Sequence, residues 1–272
     1  MSTRYKKYLP LAIITIALTF LALLCDARLQ VTYYTIDTDK IQQPIRFAVI
    51  TDLHSSSYGK DMNTLIHAVQ QEQPDCVLLV GDIFDANHDN QNSWNCVIAL
   101  AKEYPCYYVT GNHEMRMADV DDIKHQLAQI GVHVLSGDSK SVNIHDQQIM
   151  IHGVDDYFDE DAFNIQIQEI TTKAMSSQYN ILLSHRPELV DKYKQCNVDI
   201  VIAGHAHGGQ ARIPLIAPNG LYAPHQGTNP KYTNGIHQFN NWSLLVSRGL
   251  DKRSTKYPRI LNRPELIILD IT

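Results

Sequence analysis

Apolar residues in this chain gather into short unbroken runs separated by longer stretches in which apolar and polar positions alternate with a wider period. Residues 45–51, 76–80, 106–109, 181–183 and 200–203 are almost wholly aliphatic or aromatic. Such runs are too short for buried helices and fit strands covered on both faces. Between them the period lengthens. Leu65, Ile66 and Val69 recur at helical spacing over 61–73, with Asp61 or Asn63 available to cap the start and Pro74 to stop it. A second helix is expected near 93–103 and a third over 118–130, where Val120, Ile123, Leu127 and Ile130 share a face and Gly131 sits where a helix end favours glycine. Strands alternating with helices specify an α/β fold built on parallel strands.

The rhythm then changes. Residues 141–145 and 148–154 read as an antiparallel hairpin around Asp146-Gln147. The acidic stretch 155–161 leads into a helix over 162–176, and carboxylates suit a helix's first turn. Residues 214–230, rich in Gly and Pro, read as a loop able to lie over a site, and 243–247 and 266–272 as closing strands. The polar residues 30–44 read as a linker.

The N-terminus differs in kind. Arg4, Lys6 and Lys7 precede residues 9–25, in which Thr15 and Thr19 are the only polar members. The run is slightly shorter than the ~20 residues that span a bilayer and longer than the ~7 to 15 of a secretory signal core, with Tyr5 and Tyr8 placed to extend it through the headgroups. No Ala-x-Ala site follows, and Leu24 before Cys25 does not suit lipoprotein cleavage. The expectation is a retained anchor within residues 1–28, a linker at 29–44, and one domain over 45–272. A buried core helix is the alternative. Positive charge on the N-terminal side places the domain outside the cytoplasm, on a single-pass protein of the cell membrane.

With 44% hydrophobic and 19% charged residues, the chain has material for a sizeable core. A net charge of -6 argues against bulk binding to nucleic acid, which normally needs a basic face. The five cysteines stand at no metal or redox spacing, so mostly buried free thiols are expected, with a structural disulfide outside the cell as the alternative.

Candidate chemistry enters at the ends of the apolar runs. They terminate in Asp52 and His54, Asp82 and Asp85, Asn112 and His113, His185, and His205 and His207. In sheets of this kind, sites lie beyond the C-terminal strand ends. Asp52, His54, Asp82, Asn112, His185, His205 and His207 offer carboxylate, amide and imidazole donors without a thiolate, a set suited to Mn, Fe, Zn, Ni or Co. These are too many ligands for one ion. Shared between two divalent ions with one carboxylate bridging, they leave positions open for water and substrate.

Asp52-x-His54, Gly81-Asp82-x-x-Asp85, Gly111-Asn112-His113-Glu114, His185 and Gly204-His205-x-His207 resemble, in order and spacing, the motif set of the calcineurin-like metallophosphoesterases. Gly208-Gly209-Gln210, Ser247-Arg248-Gly249 and Asn262-Arg263-Pro264-Glu265 are similar to the family's bacterial membrane-anchored branch, some members of which act on lipid or nucleotide-sugar phosphoesters. The resemblance implies a four-layer α/β/β/α sandwich of two mixed sheets. It further implies that Asp52, His54 and His207 hold a first metal and Asn112, His185 and His205 a second, with Asp82 bridging. His113 would contact the phosphoryl group and protonate the leaving oxygen, oriented by Asp85. The implied reaction is hydrolysis of a phosphodiester, phosphomonoester or pyrophosphate, in a small molecule or a lipid.

A metal-binding scaffold without turnover is the main alternative, but none of the seven ligands is missing. The His-x-His-x-Asp-His and His-Glu-x-x-His signatures of other metallohydrolases are absent, as is a P-loop. His67, His88, His125, His133, His145, His152, His225 and His237 are assigned to surface or structural positions, and Arg186 and Arg248 to salt bridges rather than to phosphate.

Overall fold

The computed structural model describes residues 24–175, 177–253 and 257–272, together with Tyr8 and Thr15. Of the expected anchor segment 1–28, only Tyr8, Thr15 and residues 24–28 are among the described residues, so the anchor expectation lies largely outside them. Among the described residues no helix is long and apolar enough to cross a membrane.

Two six-stranded mixed sheets carry the fold. The first contains β1 (Gln30–Ile36), β2 (Ile45–Ile50), β3 (Cys76–Val80), β4 (Cys106–Val109), β5 (His133–Val134) and, from the far end of the chain, β14 (Glu265–Ile271), in the order β1-β14-β2-β3-β4-β5. The second contains β6 (Asp138–Ile144), β7 (Gln147–Gly153), β8 (Tyr179–Leu183), β9 (Ile200–Ala203), β12 (Gly235–Gln238) and β13 (Ser243–Val246), in the order β12-β13-β9-β8-β7-β6. A small ribbon joins β10 (Tyr222–Ala223) to β11 (Gly227–Thr228). The helices are α1 (Asn63–Glu72), α2 (Gln91–Ala101), α3 (Val120–Gln129), α4 (Glu160–Lys173) and the short α5 (Val190–Tyr193).

Side chains alternate along each strand, and that alternation divides the core into layers. Phe47, Val49, Leu78, Val80 and Val109 of the first sheet face Ile149, Ile151, Ile181, Leu183 and Ile202 of the second in one buried cluster. The alternate positions Ala48, Ile50, Val77, Leu79 and Tyr108 pack against Leu65 and Val69 of α1, Val97 and Leu100 of α2, and Ile123 and Leu127 of α3. On the other outer face, Leu182, Val201 and Ala203 meet Phe163, Ile167 and Ile170 of α4 and Tyr193 of α5. The layers thus run helix, sheet, sheet, helix. Strands buried on both faces explain why they read as continuous apolar runs.

Residues 30–36 correct the expected linker. Gln-Val-Thr-Tyr-Tyr-Thr-Ile forms β1, parallel to β14 from Gln30↔Glu265 to Ile36↔Ile271. It is an edge strand with only partial burial, so Thr, Tyr and Gln stand where a central strand has aliphatics. The hairpin is also longer than expected, and its turn is shifted. Ile144 pairs with Gln147, leaving His145-Asp146 as a two-residue turn with both φ positive, at 51 and 60°. Helix α4 begins at Glu160 with Asp159 as cap, its carboxylate accepting from the Ala162 N–H at 3.0 Å. The cysteines are free: Cys76, Cys96, Cys106 and Cys196 are buried and Cys25 is exposed.

The sheets are joined at the ends of β2, β3, β8 and β9. The Asp52 N–H donates to the Gly81 carbonyl and the Gly204 N–H to the His185 carbonyl, each at 3.0 Å. Across the sandwich, the Asp52 carboxylate accepts from the His205 N–H at 2.9 Å.

Candidate metal centre

The strand-end turns depart from ordinary backbone. Asp52, His54, Asp82, His205 and His207 all have positive φ, between 45 and 64°. That region is costly for residues with a side chain, and such strain concentrates at functional sites. Here it turns alternate side chains inward. Glycines admit the close approach: a Cβ on Gly111 would lie 2.2 Å from Asp82 Oδ1, and one on Gly204 2.3 Å from Asp52 Oδ2.

Glu114 fixes two of these turns. Its buried carboxylate accepts from the N–H groups of Asp82 (2.9 Å), Ile83 (2.7 Å), Phe84 (3.0 Å) and Gly111 (3.0 Å). Burial and the adjacent Asp82 push its carboxyl up to about 7, against the pull of backbone donors. Reading the sequence placed Glu114 only inside a motif.

All seven expected ligands are buried, and six of them, all but Asn112, gather in two groups. Ligand atoms of Asp52, His54 and His207 lie within 4.8 Å of one another, and so do those of Asp82, His185 and His205. Asp82 Oδ2 stands between the two groups, 3.4 Å from His54 Nε2 and 3.2 Å from His185 Nε2. Asp52 Oδ1 lies 3.6 Å from His207 Nε2 and 3.9 Å from His185 Nε2.

The unpartnered atoms point the same way. His54 Nε2, His185 Nε2 and Asn112 Oδ1 are buried without a hydrogen-bond partner among the described residues. Buried polar atoms are normally satisfied, and two orphaned imidazole nitrogens that share Asp82 Oδ2, with a buried amide oxygen on the neighbouring strand-end turn, fit a donor set for divalent cations. The remaining ring nitrogens are held from outside. His185 Nδ1 meets the Val80 carbonyl at 3.0 Å, His54 Nδ1 meets Asp85 at 3.2 Å, and His205 Nε2 meets His225 Nδ1 at 2.8 Å. Each ring is thereby fixed in orientation.

Electrostatics divide the imidazoles. Burial opposes a charge on His54, but Asp82 and Asp85 outweigh it and push the ring up to about 9. His185, beside the same Asp82, also lies well above the ordinary value despite its burial. For His205 and His207 burial dominates, and His207 falls to about 4. The carboxylates beside the first pair thus favour the protonated rings, whereas metal ligation needs neutral imidazole.

His113 lies on the solvent side of this cluster. Its ring meets that of His54 edge-on, centroids 4.4 Å apart, and its N–H donates to Asp82 Oδ1 at 2.8 Å. Asp85 Oδ1 is 3.5 Å from His113 Nδ1, within reach of the orienting role expected for it. The same carboxylate also touches His54, His88 Nδ1 at 3.1 Å and Arg253 Nη2 at 3.1 Å. Burial raises Asp85, yet these imidazole contacts hold it far below the usual carboxylate range. A cavity of about 330 Å³ opens here, lined by His54, Asp85, Asn87, His88, His113, Asp251 and Arg253.

Sequence reading missed His88, Arg253 and Asp251 as residues of this mouth, and it missed His225 behind His205. No local pattern marks them; Arg253 arrives from the chain after β13. Arg186 and Arg248 do form salt bridges, to Asp156 and Glu265 at 2.7 and 2.8 Å. The Asp155 carboxylate is held by Thr110 and Lys124, both at 2.8 Å.

Residues 45–209 match the family model for calcineurin-like phosphoesterases. The Bacillus subtilis metallophosphoesterase YkuE is 27% identical over 229 residues, 81% of this chain and 77% of that protein. The Escherichia coli phosphodiesterase YaeI is 24% identical over 236 residues, 84% of this chain and 82% of that one. Among solved structures, a dimetal phosphatase from Danio rerio superposes with a TM-score of 0.52 at 13% identity, covering 77% of this chain and 89% of that chain. At that identity the likeness shows the fold alone.

Proposed function

The chain belongs to the calcineurin-like phosphoesterases and is a metal-dependent phosphoesterase, and we propose from that premise how its residues divide the work. Asp52, His54 and His207 would hold one cation and Asn112, His185 and His205 the other, with the Asp82 carboxylate shared between the two sets. One observation carries this reading: a single oxygen, Asp82 Oδ2, lies 3.4 and 3.2 Å from imidazole nitrogens that belong to opposite triads. Asn112 Oδ1, unpartnered and buried, supplies the amide oxygen of the second set.

Two divalent ions held there would supply Lewis-acid charge for phosphoryl oxygens and would lower the pKa of water. The chain's own groups do the rest. His113, at the mouth and next to Asp85, is placed to meet the phosphoryl group and to give a proton to the departing oxygen. Asp85 holds the His54 ring through its Nδ1 at 3.2 Å, and its other oxygen, 3.5 Å from His113 Nδ1, is near enough to bias that ring electrostatically. The Arg253 guanidinium, held by Asp85 and Asp251 at 3.1 Å each, puts positive charge at the rim where an anionic substrate enters.

The substrate we propose is a phosphodiester, as the name of YaeI suggests, in a molecule near a bilayer. Residues 9–25 would form a membrane anchor and the domain would lie outside the cytoplasm. The test is turnover of a chromogenic phosphodiester by the full chain before chelation, after it, and after adding Mn back. Activity lost and restored supports the reading; activity indifferent to chelation rejects it.

A further inference from the structure

The two most exposed large hydrophobic side chains among the described residues are neighbours on the turn that follows His205 and His207. Leu215 is 100% exposed and Ile216 81%, with Ile213, Leu221 and Leu261 partly exposed beside them. An isolated exposed leucine needs no explanation, but two adjacent aliphatics at the tip of a projecting turn do. The turn is built to hold them out. Ile213 and Ala217 form an antiparallel bridge, and the Ile213 carbonyl accepts from the N–H groups of Ile216 and Ala217 at 3.1 and 2.8 Å. Pro214 and Pro218 stiffen it. Leu215 has φ of 68°, a conformation in which Gly or Asn is cheap and a branched aliphatic is not. Stability and solubility would both favour another residue at this position.

Two connections indicate what the tip meets. Ile260 bridges Ala211 and accepts from the Arg212 N–H at 2.9 Å, and the next residue, Leu261, donates its N–H to the Leu24 carbonyl at 2.7 Å, so the base of the turn adjoins the point where residues 9–23 join the domain. The tip is also tied to the catalytic turn. The Leu221 N–H donates to the carbonyls of Gly209 and Ala211, at 2.9 and 3.0 Å, and a Cβ on Gly209 would lie 2.0 Å from the Asn219 carbonyl oxygen. The apolar turn is therefore packed directly against the segment that follows His207. A convex apolar tip beside the exit of an apolar segment suits insertion into a lipid surface; a pocketed protein partner would instead face a groove.

We propose that Ile213, Leu215 and Ile216 dip into the bilayer, giving the domain a second membrane contact that sets the height and tilt of the site above the lipid headgroups. The inference rests on the anchor reading above, and its quenching test needs no turnover, so its failure and that of the hydrolase reading are distinguishable. The full chain is prepared with Cys25→Ser, leaving only buried thiols, and with Leu215→Cys or Ile216→Cys carrying an environment-sensitive fluorophore. A control label replaces Ile165, exposed on α4. Each protein is reconstituted into phosphatidylcholine vesicles with or without nitroxide-bearing lipid. The expected result is emission at 215 and 216 shifted to the blue and quenched by the lipid nitroxide, with position 165 unquenched. Emission at 215 and 216 that the lipid nitroxide does not quench overturns the proposal, whether the label is in water or covered by protein such as residues 9–23 or a second copy. Equal quenching at 165 overturns it as well. The paired substitution Leu215→Asp, Ile216→Asp should slow hydrolysis of a vesicle-embedded phosphodiester roughly tenfold while leaving a soluble chromogenic one unchanged. An equal effect on both substrates overturns the positioning role.

Discussion

Replacing Glu114 by glutamine tests how the site is held open. Either oxygen of this carboxylate accepts two backbone N–H groups: Oε1 from Ile83 and Phe84, Oε2 from Asp82 and Gly111. Whichever oxygen becomes an NH2 group, two buried N–H donors lose their acceptor and face another donor. A hydrogen bond to a charged group contributes about 1.5–3 kcal/mol, so two lost bonds cost about 3–4 kcal/mol after partial relaxation. For a domain of this size that is a fall in Tm of roughly 10 °C. The damage falls on the turn carrying Asp82, so cation affinity should drop with stability. The assay is thermal unfolding at pH 8, where the native carboxyl is ionised, with and without added Mn. A Tm within ~2 °C of the parent, with unchanged stabilisation by Mn, would refute the reasoning.

Three further outcomes follow from other parts of the structure. Glu188 is largely buried behind the site, and burial pushes its carboxyl from 4.5 up to about 7. A raised folded-state value means a stabilising contribution present below pH ~4.5 and lost as pH rises through ~7, so in chelated protein Glu188→Gln should be neutral at pH 5 and stabilising by roughly 2 kcal/mol at pH 8; denaturant titration at both pH values reads it, and a gain at pH 5 only would be the wrong sign. A chain beginning at residue 29 keeps β1 and should fold as a soluble domain, whereas one beginning at residue 45 uncovers β14, including Ile271 of the inter-sheet core, and should aggregate or melt well below it; equal melting of the two would return 30–44 to the status of a linker. His113→Asn should leave metal content intact and lower kcat on a chromogenic phosphodiester roughly a hundredfold, the scale of a lost general acid; an empty centre would overturn the division between ligand and proton donor.

What could be read from the sequence depended on whether each residue's role was local. Asp52, His54, Asp82, Asn112, His185, His205 and His207 stand directly after buried strands, so a short apolar run followed by a donor located them. Parallel strand order then brought them together at one edge. β1 escaped notice because an edge strand with one neighbour is free to be polar, as Thr32, Thr35 and Gln30 are. Glu114 was seen but not understood, since its acceptor role depends on N–H groups 30 to 32 residues earlier. Arg253 and His225 belong to irregular chain with no period, and only folding brings them to His54 and His205. The hairpin turn slipped because alternation marks strands better than it marks the residues adopting positive φ at His145 and Asp146.

The account's central claim is that Asp82 joins two cations, and counting metal tests it most directly. Elemental analysis of the full chain after loading with Mn and desalting should give two ions per chain, and Asp82→Asn should give one or none with turnover nearly abolished. Two retained ions in Asp82→Asn, or full turnover by a protein that carries no metal, would contradict it.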